Sequence, residues 1–236
     1  MVTDALNTLR AGSLTVGIIG LGPRGLSVLE RLLAMAERTA VRLTIAIFEP
    51  GELGVGVHAV DQPDHLVLNT IACQLTAFPD PASLEGASER PGPSLYEWSK
   101  AAGLKVHCSQ GDCHQRDVEP TDFLPRCHLG RYLSWAYSHF IAQAPANVTI
   151  EEFRESAIRM ERLPLSDRYR IVGETGKEIE VDKAFITIGH ARNAEQPRNL
   201  AVAAGPTALA TGALSIPNRE IFEALLKFKW VMQYAG

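Results

Sequence analysis

The sequence has no apolar run approaching the roughly 18 residues that a membrane-spanning helix needs, so no membrane role is expected. Its 23 basic residues form no cluster and the formal net charge is −4, so a nucleic-acid surface is not expected either. The three tryptophans, Trp98, Trp135 and Trp230, are scattered and offer no stripe for base stacking. Four cysteines are spaced irregularly through 236 residues, the usage of reduced thiols in a cytoplasmic protein rather than of a disulfide framework. The N-terminus, MVTDALNTLRAGS, has neither a basic stretch nor an apolar core and does not read as a secretion signal. Cys108, Cys113, His114, Cys127 and His128 lack metal-site spacing, because the second pair is adjacent and adjacent side chains diverge on an extended backbone. No metal is expected.

What the chain does have is ordinary globular composition, 46% apolar and 21% charged, and enough length for one large core or two small ones. Its organising stretch is TVGIIGLGPRGLSVLERLL, residues 15–33. Val16, Ile18 and Ile19 read as a strand buried on both faces. Gly20-x-Gly22-x-x-Gly25 follows at once, and then Leu26, Leu29, Leu33 and Ala36 recur at helical spacing with Glu30 and Arg31 facing elsewhere. Strand, glycine turn and helix stand in the order that a dinucleotide site needs. Gly20 permits the tight turn, Gly22 a close approach to a pyrophosphate, and Gly25 the packing of helix on strand. The helix start presents free N–H groups and partial positive charge to phosphates, and Pro23 suits its first turn. Gly17, inside the strand, reads as close packing under the sheet.

The next strand, RLTIAIFE at 42–49, ends in Glu49. An acid there accepts hydrogen bonds from a ribose diol, near the spacing of about 20 residues given for such motifs; the plainer alternative is a cap on the turn at Pro50-Gly51. A glycine-bearing loop follows, with Gly54 and Gly56, and then a Pro/Gly/Ser-rich surface loop from Pro79 to Pro93. Ser94 and Glu97 form a capping-box signature for a short helix. Residues 107–129 are polar and irregular. Gly130 starts a helix running to about Ala144, buried through Leu133, Ala136, Tyr137 and Phe140. Asn147 to Ile150 reads as a third core strand. Segments near 156–163, 168–173 and 178–181 alternate around a Glu174–Lys177 turn, as an antiparallel meander does. Ala184 to Ile188 is a second apolar run, returning beside the first strand and ending in Gly189-His190.

The expected fold is therefore α/β, a Rossmann-like doubly wound parallel sheet with an inserted antiparallel β-meander. The boundaries are a leader at 1–14, a nucleotide-binding domain at 15–190, and a C-terminal extension at 191–236 with one amphipathic helix from about Asn218 to Tyr234.

With these landmarks in place, the sequence resembles the FAD/NAD(P)-binding domain family of flavoproteins, relatives of the N-hydroxylating and Baeyer–Villiger-type flavin monooxygenases. The matching pieces are IGLGPRGLSVLERL (19–32), IAIFEP (45–50), Gly54–Gly56 with Leu68–Thr70, PRCHLGRYLSW (125–135) and ITIGH (186–190). The resemblance implies FAD rather than free NAD at the glycine turn. Gly20, Gly22, Pro23, Arg24 and Gly25 would hold the pyrophosphate and Glu49 the adenosine ribose. The loop around Asn69 and Thr70 would run towards the isoalloxazine ring, and Gly189 would be a close-approach glycine. Arg131 stays open between a phosphate or substrate contact and a structural ion pair. Tyr96/Trp98 and Tyr132/Trp135 read as core faces of short helices rather than flavin partners. His190 is open between a cofactor contact and a surface turn.

One departure stands out. No second GxGxxG follows a strand, where flavoenzymes of this type carry one for NAD(P)H. Either the reductant binds without that motif, or the chain is a truncated or stand-alone version of a longer enzyme. The leading expectation is an FAD-dependent oxidoreductase, monooxygenase-like, with NAD(P)H as candidate reductant and a small-molecule substrate. The alternative is a non-catalytic nucleotide-binding or regulatory subunit, which a protein partner or a missing C-terminal domain would complete. A dehydrogenase using NAD alone fits poorly with the meander and the Gly-Pro-Arg-Gly turn.

Overall fold

The computed structural model describes residues 12–79, 90–107, 115–164 and 166–189. Chain order is β1 (Ser13–Ile19), α1 (Pro23–Ala36), β2 (Arg42–Phe48), a 3-10 turn (Ala72–Gln74), α2 (Leu95–Ala101), β3 (Lys105–His107), β4 (Gln115–Asp117), α3 (Arg126–Ala142), β5 (Val148–Phe153), β6 (Ala157–Arg162), β7 (Tyr169–Gly173), β8 (Glu178–Val181) and β9 (Lys183–Ile186). The central sheet is parallel, in the order β5-β2-β1-β9. β6, β7 and β8 form the expected antiparallel meander.

Side-chain alternation assigns the two faces of the sheet. Val16 and Ile18 of β1, with Leu43, Ile45 and Ile47 of β2, join one core with Leu26, Leu29 and Leu33 of α1 and Leu133, Ala136, Tyr137 and Phe140 of α3. Ile19 and Phe48 face the opposite way and pack on Ile171 and Val181 of the meander. Among the described residues, helices therefore cover one face and the meander covers the other. Gly17 lies where the layers are closest, since a Cβ there would stand 2.5 Å from Ile171 Cδ1. The close packing expected of it is what the structure shows.

Several local expectations change. Glu30 and Arg31 do not face solvent; they are 2% and 5% exposed and pair with each other through both guanidinium and carboxylate. Burial raises the Glu30 carboxyl above its usual range, against the pull of the Arg31 charge. Within the 107–129 region, β4 pairs antiparallel with β3, which ends at His107. Among the described residues β5 pairs with β2 alone, and its positions are half-buried or exposed, so it is an edge strand of the described sheet rather than a core one. β9 is the other edge of the described sheet, and Ile186 and Ile188 are 44% and 59% exposed. α3 starts at Arg126, a turn before Gly130. The leader through residue 11, Cys108, Cys113, His114, His190, Trp230 and the C-terminal extension lie outside the described residues.

α2 begins as its sequence indicated, with Ser94 and Glu97 closing a reciprocal capping box. It docks on α3 through aromatic rings: Trp98 and Tyr132 are 5.7 Å apart, and Tyr132 and Trp135 stack at 5.9 Å. Tyr132 is fully buried. Its hydroxyl accepts from the Ala77 N–H at 2.9 Å and donates to the Pro93 carbonyl at 2.6 Å, and burial pushes its pKa up to about 12. Replacing Tyr132 by Phe leaves both backbone groups unpaired. We expect a loss of about 1–3 kcal/mol, read as a lower urea midpoint with an unchanged m-value.

Candidate functional site

β9 and β2 flank β1 on opposite sides, so the strand order reverses at β1 and opens a crevice beyond the carboxyl ends of the strands. The glycine turn fills that point. Gly20 is left-handed at φ +87°, and its N–H donates to the Phe48 carbonyl at 2.8 Å. A Cβ on Gly20 would meet the Ile188 backbone at 2.9 Å, and one on Gly25 would meet the Gly20 carbonyl oxygen at 2.3 Å. Thr187 locks the same corner: its hydroxyl donates to the Gly20 carbonyl at 2.5 Å and its N–H to the Ile19 carbonyl at 2.8 Å. Sequence reasoning passed over Thr187, because its role arises only when β9 returns beside β1.

α1 takes Gly22 as N-cap and Pro23 at its first position, and its first turn holds no acid. Its first hydrogen bond runs from the Leu26 N–H to the Gly22 carbonyl at 2.9 Å. Among the described residues no acceptor meets the N–H groups of Gly22, Arg24 or Gly25. The Arg24 side chain is exposed beside them. Unpaired donors, a helix N-terminus and a cation make an anion cradle.

The Glu49 carboxylate lies across this turn. One oxygen accepts from the Leu21 N–H at 2.7 Å and the other from the Gly51 N–H at 2.8 Å. The turn cap at Gly51 therefore exists, and the same carboxylate is tied to the glycine turn. A carboxylate has about four lone-pair sites, so these two bonds leave acceptor capacity for a diol.

The loop after β2 is built into the turn by backbone contact. A Cβ on Gly56 would stand 3.0 Å from Gly22 Cα and Pro23 Cδ, and the Gly54 N–H donates to the Leu21 carbonyl at 2.8 Å. On the far side, a Cβ on Gly54 would meet the Leu133 carbonyl at 2.7 Å, and one on Gly130 the His58 carbonyl at 1.9 Å. Glycine turn, loop and α3 are thus stacked backbone on backbone. A Cβ on Gly22 would in turn stand 3.3 Å from Gly56 Cα.

The remaining expected residues are less directly joined to this centre. Leu68 donates to the Leu124 carbonyl at 2.9 Å, within a short pairing that includes Val67 and Pro125. Asn69 beyond it is exposed and Thr70 half-buried; the Thr70 hydroxyl lies 3.5 Å from Asn69 Oδ1. Gly189 is left-handed at φ +74°, and among the described residues nothing lies within 4 Å of where its Cβ would stand. Arg131 is exposed and makes no ion pair among the described residues. Its charge is felt by Cys127 and His128. Cys127 is buried, and its Sγ lies 3.5 Å from Asp64 Oδ1; burial raises its thiol pKa, and the Asp64 contact adds to it. Among the described residues no group of three or more His, Cys, Asp or Glu is placed to hold a metal ion.

Residues 17–191 match the family described as FAD-NAD(P)-binding. The chain belongs to this FAD/NAD(P)-binding family. It is 36% identical over 191 residues to an L-aspartate N-monooxygenase (nitrosuccinate-forming) of Streptomyces davaonensis, across 75% of this chain and 29% of that protein. It is 32% identical over 180 residues to a nitrosuccinic acid synthase of Aspergillus oryzae, across 74% of this chain and 26% of that one. The chain spans less than a third of the length of these curated relatives. Among solved structures, cyclohexanone monooxygenase from Rhodococcus sp. Phi1 bound to NADP+ has a TM-score of 0.50 and 11% identity, over 79% of this chain and 28% of that one. That likeness is one of fold, and it agrees with the Rossmann-type sheet described above. The chain is an FAD/NAD(P)-binding flavoprotein domain with monooxygenase relatives. No described helix is long and apolar enough to cross a membrane.

Glu49→Gln keeps the length of the side chain but removes its charge and one of its acceptor oxygens. FAD affinity should fall by about 1.5–3 kcal/mol, measured by quenching of flavin fluorescence, with the far-UV circular dichroism unchanged.

Proposed function

We propose that this chain is the FAD-holding part of an N-hydroxylating flavin monooxygenase that acts in the cytoplasm on a small amino-acid substrate. The observation that carries the proposal is the anion cradle of the glycine turn with the Glu49 carboxylate held across it. The donor set suits FAD: amides and a cation for a pyrophosphate, a fixed carboxylate for a ribose. Gly20, Gly22, Pro23, Arg24 and Gly25 would hold the phosphates and Glu49 the ribose diol. Asn69, Thr70 and Gly189 would border the ring, and Arg131 would serve an anionic group of substrate or cofactor.

FAD, when bound, supplies hydride uptake and oxygen activation. The residues of this chain bind and position it. The α1 terminus offsets phosphate charge, Glu49 fixes the ribose, and the glycine contacts hold the cradle in one shape. The amino-acid substrate class is supported by the names of the relatives, and a further domain or partner by the share of their length that this chain spans.

Purified protein should be yellow, or become so with FAD, and should release about one equivalent of FAD on heating. A colourless protein that titrates with NADH but ignores FAD would contradict the proposal. The sequence has no second glycine turn for a nicotinamide nucleotide, so anaerobic mixing of the FAD-loaded chain with NADPH should bleach the flavin no faster than free FAD. Saturable bleaching at about tens per second, an ordinary enzyme rate, would reveal a reductive site within this chain.

A further inference from the structure

Residues 154–170 hold five arginines, and one of them differs from the rest. Arg159, Arg162, Arg168 and Arg170 pair with carboxylates of the meander, Glu161, Asp167 and Glu180. Arg154 is exposed and makes no hydrogen bond or ion pair among the described residues. The carboxylates nearest to it along the sheet are committed elsewhere. Glu49 is held by the Leu21 and Gly51 amides, and Glu152 accepts from the Tyr137 hydroxyl of α3.

Backbone geometry fixes where this side chain starts. Phe48 and Phe153 are register partners, their rings stack at 4.4 Å, and the Glu49 N–H donates to the Phe153 carbonyl at 3.1 Å. One register step further sets Arg154 beside Glu49, at the spacing of neighbouring strands, about 4.8 Å. On the other side of Arg154, the Glu155 carboxylate accepts from the Thr175 N–H at 2.6 Å and from its hydroxyl at 2.9 Å. The backbone is therefore pinned before and after Arg154, while its guanidinium stays available.

The ends of β1, β2 and β5 follow one another across the sheet, and each offers a different chemistry. After β1 come the amides of the glycine turn, after β2 the Glu49 carboxylate, and after β5 the planar cation of Arg154. A nucleotide has the matching order of phosphate, ribose and base. With phosphates at the glycine turn and the ribose at Glu49, the next step in the same direction carries the base to the end of β5. A guanidinium stacks on the face of such a ring. We propose that Arg154 lies against the adenine of FAD and selects a purine at that end of the cofactor. This rests on FAD as the ligand of the glycine turn.

ADP and UDP share the ribose diphosphate and differ in the base, so together they isolate this contact. Each is titrated calorimetrically into the full chain, into Arg154→Met and into Arg162→Met, with FAD measured in parallel. Methionine keeps an unbranched stem at an exposed position and removes the planar cation. The unsubstituted chain should prefer ADP to UDP. Arg154→Met should lose about three- to tenfold in affinity for ADP and FAD, the size of a cation–π contact, while UDP binding changes little. Arg162→Met removes the same charge from the meander and should leave all three affinities unchanged. Equal losses for ADP and UDP would overturn the proposal by assigning Arg154 to the phosphates, and unchanged ADP affinity in Arg154→Met would overturn it outright. An unsubstituted chain that binds neither FAD nor ADP would instead overturn the FAD reading and this proposal with it.

Discussion

The structure depends on backbone meeting backbone at places where no side chain fits. Gly22 faces Gly56, Gly54 faces Leu133, and Gly130 faces His58, so one file of contacts joins the glycine turn to the loop after β2 and the loop to α3. Gly25 against the Gly20 carbonyl does the same between α1 and the end of β1. Overpacking by a single methyl in such contacts costs about 1–3 kcal/mol or forces the backbone apart. The positions of Glu49, Arg24 and Arg131 relative to one another follow from this file, because each sits on one of the elements it joins.

Electrostatics then gives the assembled rim its character. α1 and α3 both begin without an acid in the first turn, and arginines stand exposed at both starts. The carboxylates nearby are engaged: Glu49 by two backbone amides and Asp64 by Cys127. Elsewhere the arginines of the described chain are largely matched, Arg116 with Asp122, Arg168 with Glu180 and Asp182, Arg170 with Glu178 and Glu180. Among the described residues, exposed arginines without a carboxylate partner thus stand beside the starts of α1 and α3. Buried charge appears instead behind α1, as the Glu30–Arg31 pair.

The parts of this arrangement that the sequence made legible are those coded by local pattern. The glycine turn, the acid ending β2, the capping box of α2 and the three alternating strands of the meander each show in a short window. Gly17 was readable too, because a glycine inside an apolar strand has few other uses. Glu30 and Arg31 were misplaced because helical periodicity assigns charge to the outside, and a pair of opposite charges that satisfy one another escapes that rule. The edge positions of β5 and β9 depend on which strands lie beyond them, which no window contains. Gly54, Gly56 and Gly130 were visible as motif letters, but their partners lie far along the chain, so their function as contact points emerges only in three dimensions. The same holds for Thr187 and for the setting of Arg154 beside Glu49.

If these glycine contacts shape the FAD cradle from a distance, a disturbance at one end of the file is felt at the other. Gly130 tests it most directly, since it lies on α3, away from the glycine turn, with the His58 carbonyl 1.9 Å from where its Cβ would stand. FAD should be titrated into Gly130→Ala well below its melting temperature, with folding verified by circular dichroism. The fold should stay intact and FAD affinity should fall at least tenfold. Full affinity in the folded variant would contradict it.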